Sequence, residues 1–123
     1  MKILCVDDEV WVLKSIQRLF KKTNYALEFV TSGHEALEIL AQKSVDLIIS
    51  DFRMPQMSGL ELLQQARILQ PFTKNILLSS WTDGKQIRQA VESGTIDKII
   101  SKPWNNDELL AEIHLCFGHQ YQA

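Results

Sequence analysis

Leu47-Ile48-Ile49-Ser50-Asp51-Phe52-Arg53-Met54-Pro55-Gln56-Met57-Ser58-Gly59-Leu60-Glu61-Leu62-Leu63 is the stretch from which the rest of the chain is read. Three consecutive apolar residues, two of them β-branched, give a short strand buried on both faces. The run ends at a carboxylate, Asp51. A loop containing Pro55 follows. Ser58, with Glu61 three positions on, is then a capping box that starts a helix. Leu62, Leu63, Ala66 and Leu69 recur at helical spacing, and Pro71 bars continuation.

The same pattern repeats on both sides. Upstream, Ile3 to Val6 is a second solid apolar run, and Val12, Leu13, Ile16, Leu19 and Phe20 follow at helical spacing. Ala26 to Val30 alternates instead, with Leu27 and Phe29 on one face and Glu28 on the other. Ser32 with Glu35 caps a helix whose inward face is read as Leu37, Leu40 and Ala41. Downstream, Ile76-Leu77-Leu78 is a strand. Asp83 with Gln86 caps a helix carrying Ile87, Ala90 and Val91, which stops at Gly94. Ile99-Ile100 is a short strand. Asn105 with Glu108 caps a last helix with Leu109, Leu110, Ile113 and Phe117 inward and Gly118 at its end.

Strict alternation of strand and helix calls for an α/β fold, a five-stranded parallel sheet with five helices on its two faces. Strands apolar on both faces belong in the centre, and the alternating second and short fifth strands belong at the edges. The expected order is 2-1-3-4-5, the flavodoxin-like doubly wound arrangement. Residues 1–123 read as a single domain with no linker, repeat or low-complexity segment, and with no output domain in the chain.

Composition narrows the partners. Thirteen basic residues against fifteen acidic ones give a net charge of −2, which makes no electrostatic claim on nucleic acid or an anionic membrane. No apolar run approaches the ~20 residues of a membrane span, and the start is not a signal peptide, so a cytoplasmic location is expected. Cys5 and Cys116 fall in apolar patterns without a metal-spaced partner, so neither a disulfide nor zinc is expected.

In a doubly wound sheet a ligand sits beyond the carboxyl ends of the strands, at the switch between strands 1 and 3. Those ends are Asp7-Asp8 followed by Glu9, then Asp51, Ser79-Ser80 and Lys102-Pro103. Carboxylates so close together repel unless a cation intervenes, and an all-oxygen set of this kind suits Mg²⁺. A carboxylate beside Mg²⁺ is a plausible nucleophile toward phosphorus, with the metal and a lysine neutralising the transferring group.

Val6-Asp7-Asp8-Glu9, Asp51-Phe52-Arg53-Met54-Pro55 with Gly59, Leu78-Ser79-Ser80 and Lys102-Pro103-Trp104 together resemble the receiver domain of two-component response regulators, over essentially the whole chain. The resemblance implies that Asp51 is the phospho-acceptor. It implies that Asp8, Asp51 and the backbone carbonyl of Arg53 bind Mg²⁺ directly, with Asp7 holding the metal, often through water. Ser79 matches the switch hydroxyl and Lys102 the lysine that pairs with the phosphoryl group, commonly ahead of a cis Lys–Pro peptide. One position departs: where the family usually has a switch aromatic, this chain has Ile99. Arg53 and Trp81 occupy positions that tune phosphoryl lifetime, and Glu9 is read as facing Arg53 across the mouth. Bulky Trp81 is expected to shield the phosphoryl group and slow its loss.

As a receiver, the chain is expected to be a switch and not a dedicated enzyme, assisting only its own phosphotransfer and dephosphorylation. A sensor histidine kinase or histidine phosphotransfer protein would supply the phosphoryl group. The face of helix 4, strand 5 and helix 5, with Lys85, Arg88, Gln89, Glu92 and Lys98, would change on phosphorylation. Its mixed charges suit a homodimer contact. The motif combination also looks like receivers fused to cyclic-dinucleotide phosphodiesterase or kinase modules. Two alternatives remain at this point: a receiver-like docking module that takes no phosphate, and a haloacid-dehalogenase-like Mg²⁺ phosphatase. Arg53 stands where the phosphatase needs a second Asp.

Overall fold

The computed structural model describes residues 1–80 and 84–118, the side chains of 84–86 excepted. In chain order the elements are β1 (Lys2–Val6), α1 (Val10–Leu19), β2 (Ala26–Val30), α2 (Gly33–Gln42) and β3 (Leu47–Asp51). There follow α3 (Gly59–Leu69), β4 (Lys74–Ser79), α4 (Gly84–Glu92), β5 (Lys98–Ser101) and α5 (Asn106–Cys116). The strands form one parallel sheet in the order β2-β1-β3-β4-β5, as the alternation of periods requires.

The sheet divides the core in two. Leu4, Val6, Ile48 and Leu77 point to the side covered by α2, α3 and α4, against Leu40, Leu62, Leu63 and Ile87. Ile3, Cys5, Leu47, Ile49, Ile76 and Leu78 point to the side covered by α1 and α5, against Val12, Ile16, Leu109 and Ile113. Consecutive residues of β1, β3 and β4 thus serve opposite faces, which is why each of those strands carries an unbroken apolar run. Each fully buried Leu or Ile contributes roughly 1.5–3 kcal/mol relative to exposure. The edges behave otherwise. β2 is only partly buried, and its Glu28 takes Lys2 (3.4 Å) and Lys43 (3.6 Å) as ion-pair partners.

Three of the helix starts read from sequence are made as expected. Ser32 Oγ accepts the Glu35 N–H, Ser58 and Glu61 form a full capping box, and Asn105 accepts the Glu108 N–H. The Asp83 cap lies outside the described residues. Gly94, at φ +83, ends α4 in the left-handed conformation that a glycine adopts without strain.

The inward faces need four corrections. In α2 the buried positions are Gly33, Ala36 and Leu40, with Leu37 half-buried and Ala41 exposed. Ala41 is exposed although Leu40 beside it in the same last turn is buried. Leu69 (48% exposed) and Val91 (41%) likewise sit in the final turns of α3 and α4 and face solvent. Cys116 is half-buried where Cys5 is fully buried.

Candidate functional site

The parallel register brings the strand ends into one row. Val6 of β1 is paired with Ser50, Asp51 of β3 with Leu78, and Ser79 of β4 with Ser101. Asp7 and Asp8 therefore leave β1 beside the end of β3, and Lys102 leaves β5 beside the end of β4. The Lys102 N–H donates to the Ser79 carbonyl at 2.9 Å, which extends the β4–β5 ladder to the lysine itself. The Lys102–Pro103 peptide is cis.

The side chains converge as the sequence reading expects. Lys102 Nζ lies 2.5 Å from Asp51 Oδ1 and 3.7 Å from Asp7 Oδ2. Asp7, Asp8 and Asp51 each offer a carboxylate oxygen within 4.8 Å of the others. Asp7 and Asp51 are buried and Asp8 is exposed, so the cluster opens to solvent along one side. Asp7 Oδ1 accepts the Glu9 N–H at 2.9 Å, whereas Asp7 Oδ2 is buried with no hydrogen-bond partner.

Burial pushes the Asp7 carboxyl up to about 6, reinforced by the charges of Asp51 and Asp8 and opposed by the Glu9 N–H and Lys102. Burial also raises Asp51, against the hydrogen bond and charge of Lys102 and the Phe52 N–H. Two buried carboxylates facing one lysine leave negative charge uncompensated, and a cation would relieve it. The Asp7 oxygen that lacks a hydrogen bond and the all-oxygen donor set fit a hard divalent ion such as Mg²⁺, which binds through a few carboxylates and keeps waters for the rest.

The loop after β3 is anchored at both ends. The Phe52 N–H donates to the Leu78 carbonyl (3.0 Å), and the Phe52 carbonyl accepts the Gly59 N–H (2.8 Å). Gly59 is required by space. A Cβ there would stand 2.0 Å from the Asp51 carbonyl oxygen, so only glycine lets α3 begin against the end of β3. Arg53, whose carbonyl is the candidate metal ligand, lies exposed between these anchors.

The remaining candidates are placed as follows. Ser79 is buried at 4% exposure, and its hydroxyl donates to the Ser80 carbonyl at 3.0 Å. Ser79 also lines a groove of about 470 Å³ between α4 and β5, together with Ile87, Val91 and Ile99. Ile99 is half-buried and packs toward the α2–α3–α4 side of the core. The carboxylate of Glu9 accepts the indole N–H of Trp11 at 2.6 Å. Trp81 lies outside the described residues. Sequence reading missed the Glu9–Trp11 bond, and it missed Met57 and Gly33, which press together behind the loop.

The sequence profile of the response regulator receiver domain matches residues 3–114. The chain belongs to that family. Receiver domains are signalling modules of two-component systems, not dedicated enzymes, and their partners are histidine kinases or phosphotransfer proteins. Over 119 residues the receiver is 28% identical to the transcriptional regulatory protein ZraR of Escherichia coli, covering 97% of this chain and 27% of that protein. The chain thus spans about a quarter of the length of these curated relatives. Sporulation initiation phosphotransferase F of Bacillus subtilis is 27% identical over 88% of this chain and 86% of its own length. Among solved structures, the signal receiver domain of an HD domain-containing protein from Pseudomonas fluorescens is 37% identical. Its TM-score is 0.89, with 96% of this chain and 94% of that one covered. The chemotaxis response regulator CheY4 of Vibrio cholerae is 27% identical with a TM-score of 0.83, over 94% and 97% of the two chains. No helix among the described residues is long and apolar enough to cross a membrane.

Proposed function

We propose that this receiver takes a phosphoryl group onto Asp51 from a phosphohistidine of a sensor kinase or phosphotransfer protein, in the presence of Mg²⁺. The observation that carries the reading is Lys102 Nζ at 2.5 Å from Asp51 Oδ1, beside an acidic cluster in which a buried Asp7 oxygen makes no hydrogen bond. An Asp51 oxygen attacks phosphorus, the phosphorus–nitrogen bond breaks, and the imidazole leaves with the bonding pair. Held by Asp7, Asp8, Asp51 and the Arg53 carbonyl, Mg²⁺ would supply charge neutralisation at the transferring group. Lys102 moves from the carboxylate to a phosphoryl oxygen, and the Ser79 hydroxyl turns from the Ser80 carbonyl to donate to another. Water attacking the aspartyl phosphate later returns the domain to rest.

The phosphoryl group biases the α4–β5–α5 face, where Arg88, Gln89, Glu92 and Lys98 are exposed. With Ile99 in place of an aromatic ring, the groove between α4 and β5 is the element through which Ser79 movement reaches that face. The two signs of charge on it suit a self-complementary contact with a second copy, or control of an attached output domain in a cytoplasmic protein.

Intact mass after incubation with a small-molecule phosphodonor tests the chemistry. The expected result is a gain of one phosphoryl group that requires Mg²⁺ and is absent in Asp51→Asn. Sedimentation of the same samples reads the contact: a shift toward dimer only in the phosphorylated wild type is expected. A phosphorylated protein that stays monomeric at all concentrations removes the dimer. No mass gain with Mg²⁺ bound removes small-molecule phosphotransfer to Asp51.

A further inference from the structure

Gly33 is the first residue of α2, and nothing in helix propensity asks for glycine there, where alanine is the better former. The reason lies across the interface. A Cβ at position 33 would stand 2.6 Å from Met57 Sδ, 3.1 Å from its Cγ and 3.2 Å from its Cβ, so the whole Met57 side chain lies across the glycine. Met57 is 7% exposed and belongs to the core on the α2–α3–α4 side, although it comes from the loop between Asp51 and α3. It is the one residue of the loop segment 53–58 that is buried in that core.

The backbone around it is tightly constrained. The Met57 N–H donates to the Pro55 carbonyl at 2.7 Å, and Gln56 between them sits at φ +69, a conformation that non-glycine residues rarely adopt. Such a turn persists only where its surroundings over-determine it. Here the surroundings are the Phe52–Gly59 hydrogen bond at the base of the loop and Met57 at its far side. The direction of the Arg53 carbonyl is therefore fixed from two sides, by Phe52 immediately before it and by the Met57 anchor four residues after it.

We propose that Met57, seated on Gly33, is a positioning residue for the metal site: it holds the Arg53 carbonyl toward Asp7, Asp8 and Asp51, and so makes the start of α2 part of the Mg²⁺ affinity. This inference rests on the metal-binding reading above. A filled Gly33 would push Met57 outward, turn the loop and misdirect the carbonyl, while the three carboxylates stayed in place on β1 and β3.

Calorimetric Mg²⁺ titration of purified wild type, Gly33→Ala, Met57→Leu and the Gly33→Ala/Met57→Ala pair tests it, with thermal unfolding of each. Gly33→Ala is expected to weaken Mg²⁺ binding at least fivefold. Met57→Leu keeps the volume but branches the chain over the glycine, and is expected to weaken binding at least twofold in a folded protein. In the pair the Met57 anchor is gone whether or not position 33 is filled, so the pair is expected to bind Mg²⁺ no more tightly than Gly33→Ala alone. A phosphodonor assay at saturating Mg²⁺ should return the single variants to the wild-type extent of modification. Wild-type affinity in both Gly33→Ala and Met57→Leu would overturn the proposal, as would a pair that regains wild-type affinity without the Met57 side chain. Should Gly33→Ala fail to fold, Met57→Leu decides alone. A wild type that binds no Mg²⁺ defeats the metal-binding reading itself, an outcome distinct from unequal variants of a protein that does bind.

Discussion

Asp7 is the residue at which burial and charge oppose each other most directly. Its carboxyl is pushed up to about 6 from an ordinary 3.8, chiefly by burial. A carboxyl whose folded value lies above its unfolded one contributes stability that is complete below about pH 4 and is lost as pH rises through about 6. In chelator, Asp7→Asn, which cannot ionise, should therefore be more stable than wild type at pH 7.5 by up to about 3 kcal/mol, each tenfold change in acid strength being worth ~1.4 kcal/mol. The gap should shrink as pH falls toward 4. Urea unfolding at a series of pH values checks this, and a gap independent of pH would refute it. That Asp7, Asp8, Asp51 and Lys102 would meet was legible in the sequence, because each lies where an apolar run stops. The Asp7 oxygen that lacks a hydrogen bond and the Glu9–Trp11 bond were not legible, since both depend on side-chain directions that the order of residue types does not determine.

Among the elements, α3 ties its own start to the site. Ser58 caps it and Gly59 admits it against β3. Ser58→Ala should cost about 1 kcal/mol, the usual worth of a side-chain cap. Gly59→Ala should cost more, about 3 kcal/mol or above, because the atom it meets is backbone that cannot step aside. Chemical unfolding of both variants checks the ranking, and equal losses would argue against the close approach. The helix starts were readable because a cap is local chemistry, a side-chain oxygen within reach of an N–H three residues on. The helix ends were less so. Leu69 and Val91 continue the apolar period past the point where the sheet stops covering it, and periodicity carries no information about where a partner surface ends.

At the scale of the molecule, Arg67 holds the end of the sheet remote from the acidic cluster. From the last turn of α3 it donates to the carbonyls of Pro71 (2.9 Å), Thr73 (2.7 Å) and Thr95 (3.3 Å), and pairs with Asp97 at 2.8 Å. Asp97 in turn accepts the Asn75 N–H at 2.8 Å, so one guanidinium joins α3, β4 and the turn into β5. Arg67→Met keeps the stem but strands these acceptors, and should lower stability by about 2–3 kcal/mol. A loss below about 0.5 kcal/mol in equilibrium unfolding would place the burden elsewhere. The strand order was legible from which runs are apolar on both faces. The Arg67 bridge was not, because its partners are mostly backbone oxygens, which carry no residue signature.

The residues around Asp51 are supplied from positions 7, 8, 53, 79 and 102, and the chain between them is given over to strands and helices that only the complete sheet sets side by side. No contiguous fragment contains acceptor, acidic neighbours and lysine without also containing nearly the whole domain. A copy that is half-made, nicked or unravelled at either edge has lost some of these neighbours, and with them the acidic cluster and its lysine. Were Asp51 phosphorylated as proposed, the same parallel ladder that stabilises the molecule would restrict modification to intact copies, and damaged ones would drop out of the conversation instead of garbling it.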